Sequence, residues 1–398
     1  MGSADGIGRR RFLAAGAAMV GAVVLSGCGP RRVGGSPALA GVDVGGKASL
    51  KEHAANARLL FGFAVDTRQL RENRRYREVV EQQASIIVAE NAMKWRALRP
   101  AVDRYDFEDA DGLLTFAEKN RIKLRGHNLC WHESLPVWFD AVANRGNAHR
   151  LLVDHIRTVA GRYAGRMHSW DVVNEAINTR DGRGDGLRNS PWLRLVGTDY
   201  IEIAFRTARE ADPAALLTYN EFGLEPETVE GAGKRAATLQ MLRRLKQRNV
   251  PIDAVGIQSH LEAGSRSGYG PELTKFMAAC REMGLEIFLS EMDVSDRNLP
   301  VNTDSRDAVV AESYRSYLEM TLQERRVTAV LTWGVDDGGT WLTAGEPRRD
   351  QSAQRPLLFD SSFQAKPAFA AVREAFVGRM RPGSGASAAR VPAYLPRL

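Results

Sequence analysis

Eight short β-type runs, each followed by a longer stretch with helical periodicity, divide most of this chain, and that alternation restricts its fold more than any other feature. The runs are Leu59 to Ala64, Ser85 to Ala89, Lys123 to His127, His168 to Val172, Leu216 to Tyr219, Ala254 to Gln258, Glu286 to Ser290 and Thr328 to Thr332. Each is read as apolar along its length and leads into polar or aromatic residues, as a parallel strand buried on both faces does. Eight β-then-α units across residues 50 to 378 match the size of a (β/α)8 TIM barrel in a single catalytic domain. An open, doubly wound sheet is the competing arrangement. No Gly-rich phosphate loop stands at a first strand-to-helix turn, and Gly231-Ala232-Gly233-Lys234 lacks the spacing of a P-loop, which weakens any nucleotide-binding version of that alternative.

Composition removes other classes. With 398 residues, 44% hydrophobic and 26% charged, the chain has enough apolar surface to offset the entropy lost on folding. Three cysteines cannot make a disulfide scaffold. Cys130 and Cys280 lie far apart in apolar contexts, so each is expected to pack as a free thiol rather than pair or bind zinc. The net charge of +7 includes +2 from the first 27 residues, where Arg9, Arg10 and Arg11 face only Asp5, and leaves +5 for the rest. Those cations are dispersed among acidic residues, so a solvated basic surface is expected and no nucleic-acid partner.

In a barrel, the C-terminal ends of the strands converge on one mouth. The residues expected there are Glu90, Asn91 and Lys94; His127, Trp131 and His132; Asp171, Asn174 and Glu175; Tyr219, Asn220 and Glu221; Gln258 and His260; Glu291 and Asp293; and Trp333 with Trp341. Two carboxylates, several neutral hydrogen-bonding groups and indoles suit a sugar polymer, whose hydroxyls need amides, carboxylates and imidazoles and whose ring faces stack on aromatic rings. Cleaving a glycosidic bond needs a proton donor and a nucleophile or base on opposite sides of the anomeric carbon. Glu175 and Glu291 fill those roles.

Five segments carry a resemblance: Glu90-Asn91-Ala92-Met93-Lys94-Trp95, His127-Asn128-Leu129-Cys130-Trp131-His132, Trp170-Asp171-Val172-Val173-Asn174-Glu175-Ala176, Gly256-Ile257-Gln258-Ser259-His260 and Leu289-Ser290-Glu291-Met292-Asp293. In this order, each at the end of a β-type run, they resemble glycoside hydrolase family 10, the retaining endo-β-1,4-xylanases. The resemblance implies that Glu175 is the general acid and base and Glu291 the nucleophile. It implies that Asn174 holds the sugar's 2-hydroxyl, that Glu90, Asn91, Lys94, His127 and Gln258 line the subsite on the non-reducing side of the cut, and that His260 and Asp293 orient Glu291. Trp131, Trp333 and Trp341 would wall the cleft. No cofactor and no metal is implied, and xylan or xylo-oligosaccharides are the expected partners of a monomeric enzyme. Read alone, Asn174 and Glu175 also suit a helix N-cap and its first turn, and His127, His132 and His260 suit metal ligation. An exo-acting enzyme on short oligosaccharides and a non-catalytic sugar-binding lipoprotein are the alternative functions.

One segment departs from the family. Where its members usually read Tyr-Asn-Asp-Tyr-Asn after the fifth strand, this chain has Tyr219-Asn220-Glu221-Phe222-Gly223. A polar contact to the leaving-group sugar is lost and an apolar ring remains.

The first 27 residues resemble a twin-arginine signal: Arg9-Arg10-Arg11-Phe12-Leu13 precedes an apolar stretch, Ala14 to Leu25, too short to span a bilayer. Leu25-Ser26-Gly27-Cys28 resembles a lipobox. The expected organisation is a signal over 1–27, a linker over 28–48, the hydrolase domain over 49–380 and a disordered tail over 381–398, with Cys28 lipidated and the enzyme exported and held at a membrane surface.

Overall fold

The structure is a computed structural model and describes residues 43–265 and 268–380. The expected signal and tail, and Cys28, lie outside the described residues.

The eight runs form the eight staves of a closed parallel barrel. They are β1 (Leu60–Val65), β2 (Ile86–Ala89), β3 (Lys123–Cys130), β4 (Ser169–Asn174), β5 (Leu216–Glu221), β6 (Ala254–Ile257), β8 (Glu286–Ser295) and β9 (Val327–Thr332), with a three-residue strand, β7 (His260–Glu262), between the sixth and seventh staves. Neighbours pair in chain order, and the ring closes because β1 pairs with both β2 and β9 while β6 pairs with β8. Helices between successive strands cover the outside, as the (β/α)8 alternation requires.

Two apolar layers hold the barrel together. A small interior cluster contains Ala64, Ile86, Val88, Ala254, Phe288, Ala329 and Leu331, and a much larger one fills the space between strands and helices. Both faces of the strands are therefore buried, which explains the runs of apolar residues without alternation. The third and fourth runs depart from that pattern, with Arg125 in one and Ser169 and Asp171 in the other. Arg125 points into the barrel, almost wholly buried, and is paired with Asp171 of β4, while Asn220 Oδ1 accepts from its Nη2 at 3.2 Å. The helices are fixed by local chemistry: Asn73 caps the helix Arg74–Gln83 by accepting from the Arg75 and Tyr76 amides, and Ser190 followed by Pro191 starts Pro191–Val196. Cys130 and Cys280 are free and buried. Among the described residues no helix is long and apolar enough to cross a membrane.

Two of the expected strands run further than their apolar cores. β3 continues to Cys130 and β8 to Ser295, carrying His127, Glu291 and Asp293 on strand backbone rather than on loops, with shifts of pairing register after His127 and between Leu289 and Met292. The extension of β8 is possible because β7 supplies a partner, with His260 opposite Asp293.

Candidate active site

A cleft of about 1180 Å³ opens at the C-terminal ends of the strands. Of the eighteen residues expected at the mouth, thirteen line it: Glu90, Asn91, Lys94, His127, Trp131, Asn174, Glu175, Gln258, His260, Glu291, Asp293, Trp333 and Trp341, whereas His132, Asp171, Tyr219, Asn220 and Glu221 do not. Asn174 ends β4, and no helix begins there; the helix-cap reading of Asn174 and Glu175 does not describe this segment. Glu175 instead sits just past the strand with φ +58°, in the left-handed region that a non-glycine residue occupies at some cost. Its amide donates to Asn220 O at 2.9 Å and the Arg188 guanidinium donates to its carbonyl at 2.8 Å, so both sides of the turn are held.

The two glutamates occupy opposite electrostatic environments. Burial raises the Glu175 carboxyl above the ordinary carboxylate range, and the nearby charges of Glu221 and Glu291 push the same way, against a 3.0 Å hydrogen bond from Gln258 Nε2. Burial would raise Glu291 too, but hydrogen bonding to His260 and the positive surroundings of His127, His260 and Arg125 bring it down to about 2. His260 is the hinge of this arrangement. Its Nδ1 lies 2.9 Å from Asp293 Oδ1 and its Nε2 3.4 Å from Glu291 Oε2. Burial alone would lower its pKa, and the two carboxylates instead hold it well above the ordinary histidine value. Asp293 is fixed in turn by the Trp341 indole, which donates to Oδ2 at 2.9 Å.

Asn220 joins the two carboxylates, a role that the sequence does not announce. Its Nδ2 donates to Asn174 Oδ1 at 2.7 Å and to Glu291 Oε1 at 2.6 Å, while its Oδ1 accepts from Ser290 Oγ at 2.7 Å. Asn174 Nδ2 completes the bridge by donating to Glu175 Oε1 at 3.1 Å. Room for this hub comes from Gly256, where a Cβ would fall 2.0 Å from Asn220 Oδ1. Strand-end position is the only signal that marks Asn220 in advance; Arg125, inside a strand, has none.

One flank of the cleft is cationic and aromatic. Lys94 Nζ lies 5.4 Å from the Trp131 ring and 5.9 Å from Trp333, and it bonds Asn91 Oδ1 at 2.9 Å. Burial lowers its pKa, and Glu291, Glu90 and Glu175 oppose that. Trp333 is largely buried with its ring 5.1 Å from His127, whereas Trp341 is 39% exposed, with one edge against the His260 ring at 5.5 Å. His132 lies beside Glu133 and not with the other imidazoles. Among the described residues the donor atoms of His127, Asp171 and Glu291 lie within 4.8 Å of one another. Asp171 already accepts from Arg125 and from His127 Nδ1 at 2.9 Å, so a cation there would have to displace a guanidinium.

A barrel mouth that holds one carboxyl raised and one lowered from the ordinary carboxylate value, among amides and indoles, is that of a glycosidase. The chain belongs to glycosyl hydrolase family 10, whose model matches residues 49–375. It is 33% identical over 330 residues to endo-1,4-beta-xylanase B of Thermotoga neapolitana, covering 82% of this chain and 90% of that protein. Among solved structures it is similar to native xylanase 10B of Thermotoga maritima, with TM-score 0.75 and 31% identity over 83% of this chain and 99% of that one. Xylanase 10B of Thermotoga petrophila in complex with xylobiose gives TM-score 0.75 and 31% identity over 84% and 98% of the two chains. Some relatives are longer, and of three of these the chain spans between 26% and 30%.

Proposed function

We propose that this protein is a retaining endo-1,4-β-xylanase that hydrolyses internal β-1,4 bonds of xylan by double displacement. The observation that carries the reading is the divergence of two carboxyls at one cleft, Glu175 raised and Glu291 lowered, which suits them to opposite tasks at the same pH. Glu175 gives its proton to the glycosidic oxygen while the Glu291 carboxylate attacks the anomeric carbon, so the leaving sugar departs as an alcohol and a glycosyl ester forms on Glu291. Glu175, now ionised, takes a proton from water, the water oxygen displaces Glu291, and the anomeric configuration returns to β. His260 and Asp293 hold the nucleophile charged and oriented, and Asn174 meets the 2-hydroxyl, a contact that strengthens as positive charge grows on the ring. Glu90, Asn91, Lys94, His127 and Gln258 receive the sugar on the non-reducing side, walled by Trp131, Trp333 and Trp341. The open cleft suits an internal stretch of chain. Proton NMR of the first product from a β-xylo-oligosaccharide tests this: a β-anomer is expected, and an α-anomer overturns the mechanism. Product lengths from xylan separate internal from terminal attack.

The location is part of the same proposal. Export through the twin-arginine-type leader, acylation of Cys28 and activity as a monomer rest on the sequence resemblance of residues 1–28 and on the self-contained barrel. Cys28→Ser should release the enzyme from membranes with its activity intact, and equal membrane association of both forms would remove the anchor.

A further inference from the structure

Phe222 follows directly on the Glu221 that ends β5, lines the cleft and is 38% exposed. A phenylalanine carries no hydroxyl, so its ring can be held in place only through its faces and edges. One face is taken: Lys234 Nζ lies 3.2 Å from the ring centroid. This lysine belongs to the helix Val229–Gln247 and is nearly buried, and its charge is met by Glu221 Oε1 at 2.9 Å. Glu221 is itself wholly buried, and it ties together the two segments that matter here. Its Oε1 accepts from the Phe222 amide at 3.2 Å, and its Oε2 accepts from the Ile177 amide at 3.0 Å and from the Tyr219 hydroxyl. Ile177 is two residues beyond Glu175. Gly223, with φ +68°, passes over the lysine stem, where a Cβ would sit 3.6 Å from Lys234 Cδ. Arg188, which grips the Glu175 carbonyl, places its guanidinium carbon 5.8 Å from the Phe222 ring.

The ring is thus bound to the same turn as the group that protonates the departing oxygen. The leaving sugar must lie against Glu175, on the side away from Lys94 and His127, and Phe222 is the aromatic surface attached to that turn.

We propose that Lys234 is a positioning residue for the leaving-group sugar: its ammonium, neutralised by Glu221, clamps Phe222 as a fixed platform beneath the departing xylosyl ring and keeps that platform in register with Glu175. The inference rests on the xylanase reading above. Without the ammonium the ring is free to turn on its side-chain bonds, and the sugar must immobilise it on binding. A desolvated cation–π contact corresponds to roughly 5- to 30-fold in an equilibrium.

The test compares two substrates. Xylotetraose has a sugar as its leaving group and needs the platform; 2,4-dinitrophenyl xylobioside has an aryl leaving group that needs neither platform nor proton. Lys234→Met keeps the side-chain length and removes the charge. It is expected to lower kcat/KM for xylotetraose by about 5- to 30-fold, mostly through KM, and to change the aryl substrate by less than about 2-fold. Lys234→Arg should recover part of the loss. Phe222→Ala should match Lys234→Met on xylotetraose, and the double variant should be no worse than either single one, because the two side chains act as a unit. Should the unpaired Glu221 prevent folding, Lys234→Met with Glu221→Gln removes both charges of that pair and is compared with Glu221→Gln alone, because the Glu221 charge also acts on Glu175. An equal fall on both substrates, additive losses in the double variant, or no change on xylotetraose would each overturn the role of Lys234. Wild-type hydrolysis of both substrates checks the xylanase reading separately, and its absence would overturn that reading and this inference with it.

Discussion

Replacing Asn220 by alanine should give the enzyme an acid limb that the wild type lacks in the measurable range. Asn220 Nδ2 donates to Glu291 Oε1 at 2.6 Å, and the pKa of that carboxyl, the proposed nucleophile, is brought down to about 2 by its surroundings. A hydrogen bond to a charged acceptor contributes about 1.5–3 kcal/mol net. It favours the ionised form of Glu291, so its loss raises the pKa, and at about 1.4 kcal/mol per unit the rise is roughly 1 to 2 units. Attack requires the carboxylate, so activity fails as pH falls through the folded pKa, and raising that pKa moves the failure to higher pH. The acid midpoint of kcat/KM should therefore move from about 2 to about 3–4. The assay is hydrolysis of 2,4-dinitrophenyl xylobioside between about pH 3 and pH 6, with circular dichroism at each pH to establish that the variant is folded. The wild type should stay flat until it unfolds. Superimposable profiles for a folded variant would refute the bridge from Asn220 to the nucleophile.

Gly256→Ala attacks the same hub from behind, since its Cβ would meet Asn220 Oδ1 at 2.0 Å; it should cost about 1–3 kcal/mol in urea unfolding and shift the acid limb in the same direction. Arg125→Met leaves Asp171 charged and buried, and a loss of about 3–5 kcal/mol is expected in the same measurement. His155 is buried against Trp95 at 3.7 Å with neither ring nitrogen bonded, and burial, with Arg99 nearby, holds its pKa well below the ordinary value. The unfolded chain binds a proton there below about pH 6.5 and the folded one does not, so this residue lowers stability by about 1.4 kcal/mol per pH unit as pH falls below that point. His155→Phe should gain stability relative to wild type on going from about pH 7 to about pH 5, and an unchanged difference would refute the account.

The barrel was legible because parallel strands buried on both faces cannot alternate, so Ile86–Ala89 and Ala254–Ile257 stand out as short apolar runs. The candidate site is legible because the residues at and just past the ends of such runs meet at one mouth, where Asn174, Glu175, Gln258 and Trp333 line one cleft. What escaped depends on contacts between distant segments. Arg125 reads as a charge in the middle of a strand until Asp171, 46 residues later, faces it inside the barrel. β7 is three residues long and is recognisable only from its pairing with the extension of β8 past its apolar core. Lys234 sits in a Gly-Ala-Gly-Lys segment that lacks the spacing of a P-loop and carries no other signal; folded, it lies in the second turn of a helix, and its partners Glu221 and Phe222 come from the end of β5 and the residue after it.

In the proposed mechanism Glu175 and Glu291 do different work, and chemical rescue of their alanine variants separates the two roles. A dinitrophenyl leaving group departs without a proton, so Glu175→Ala should still form the glycosyl-enzyme from 2,4-dinitrophenyl xylobioside and then deglycosylate slowly, with a burst of about one dinitrophenolate per enzyme. Azide needs no general base; it should speed turnover of that variant and appear in a β-glycosyl azide. Glu291→Ala should show no burst with any leaving group. An α-glycosyl azide from the Glu175 variant, or a burst from the Glu291 variant, would contradict the assignment.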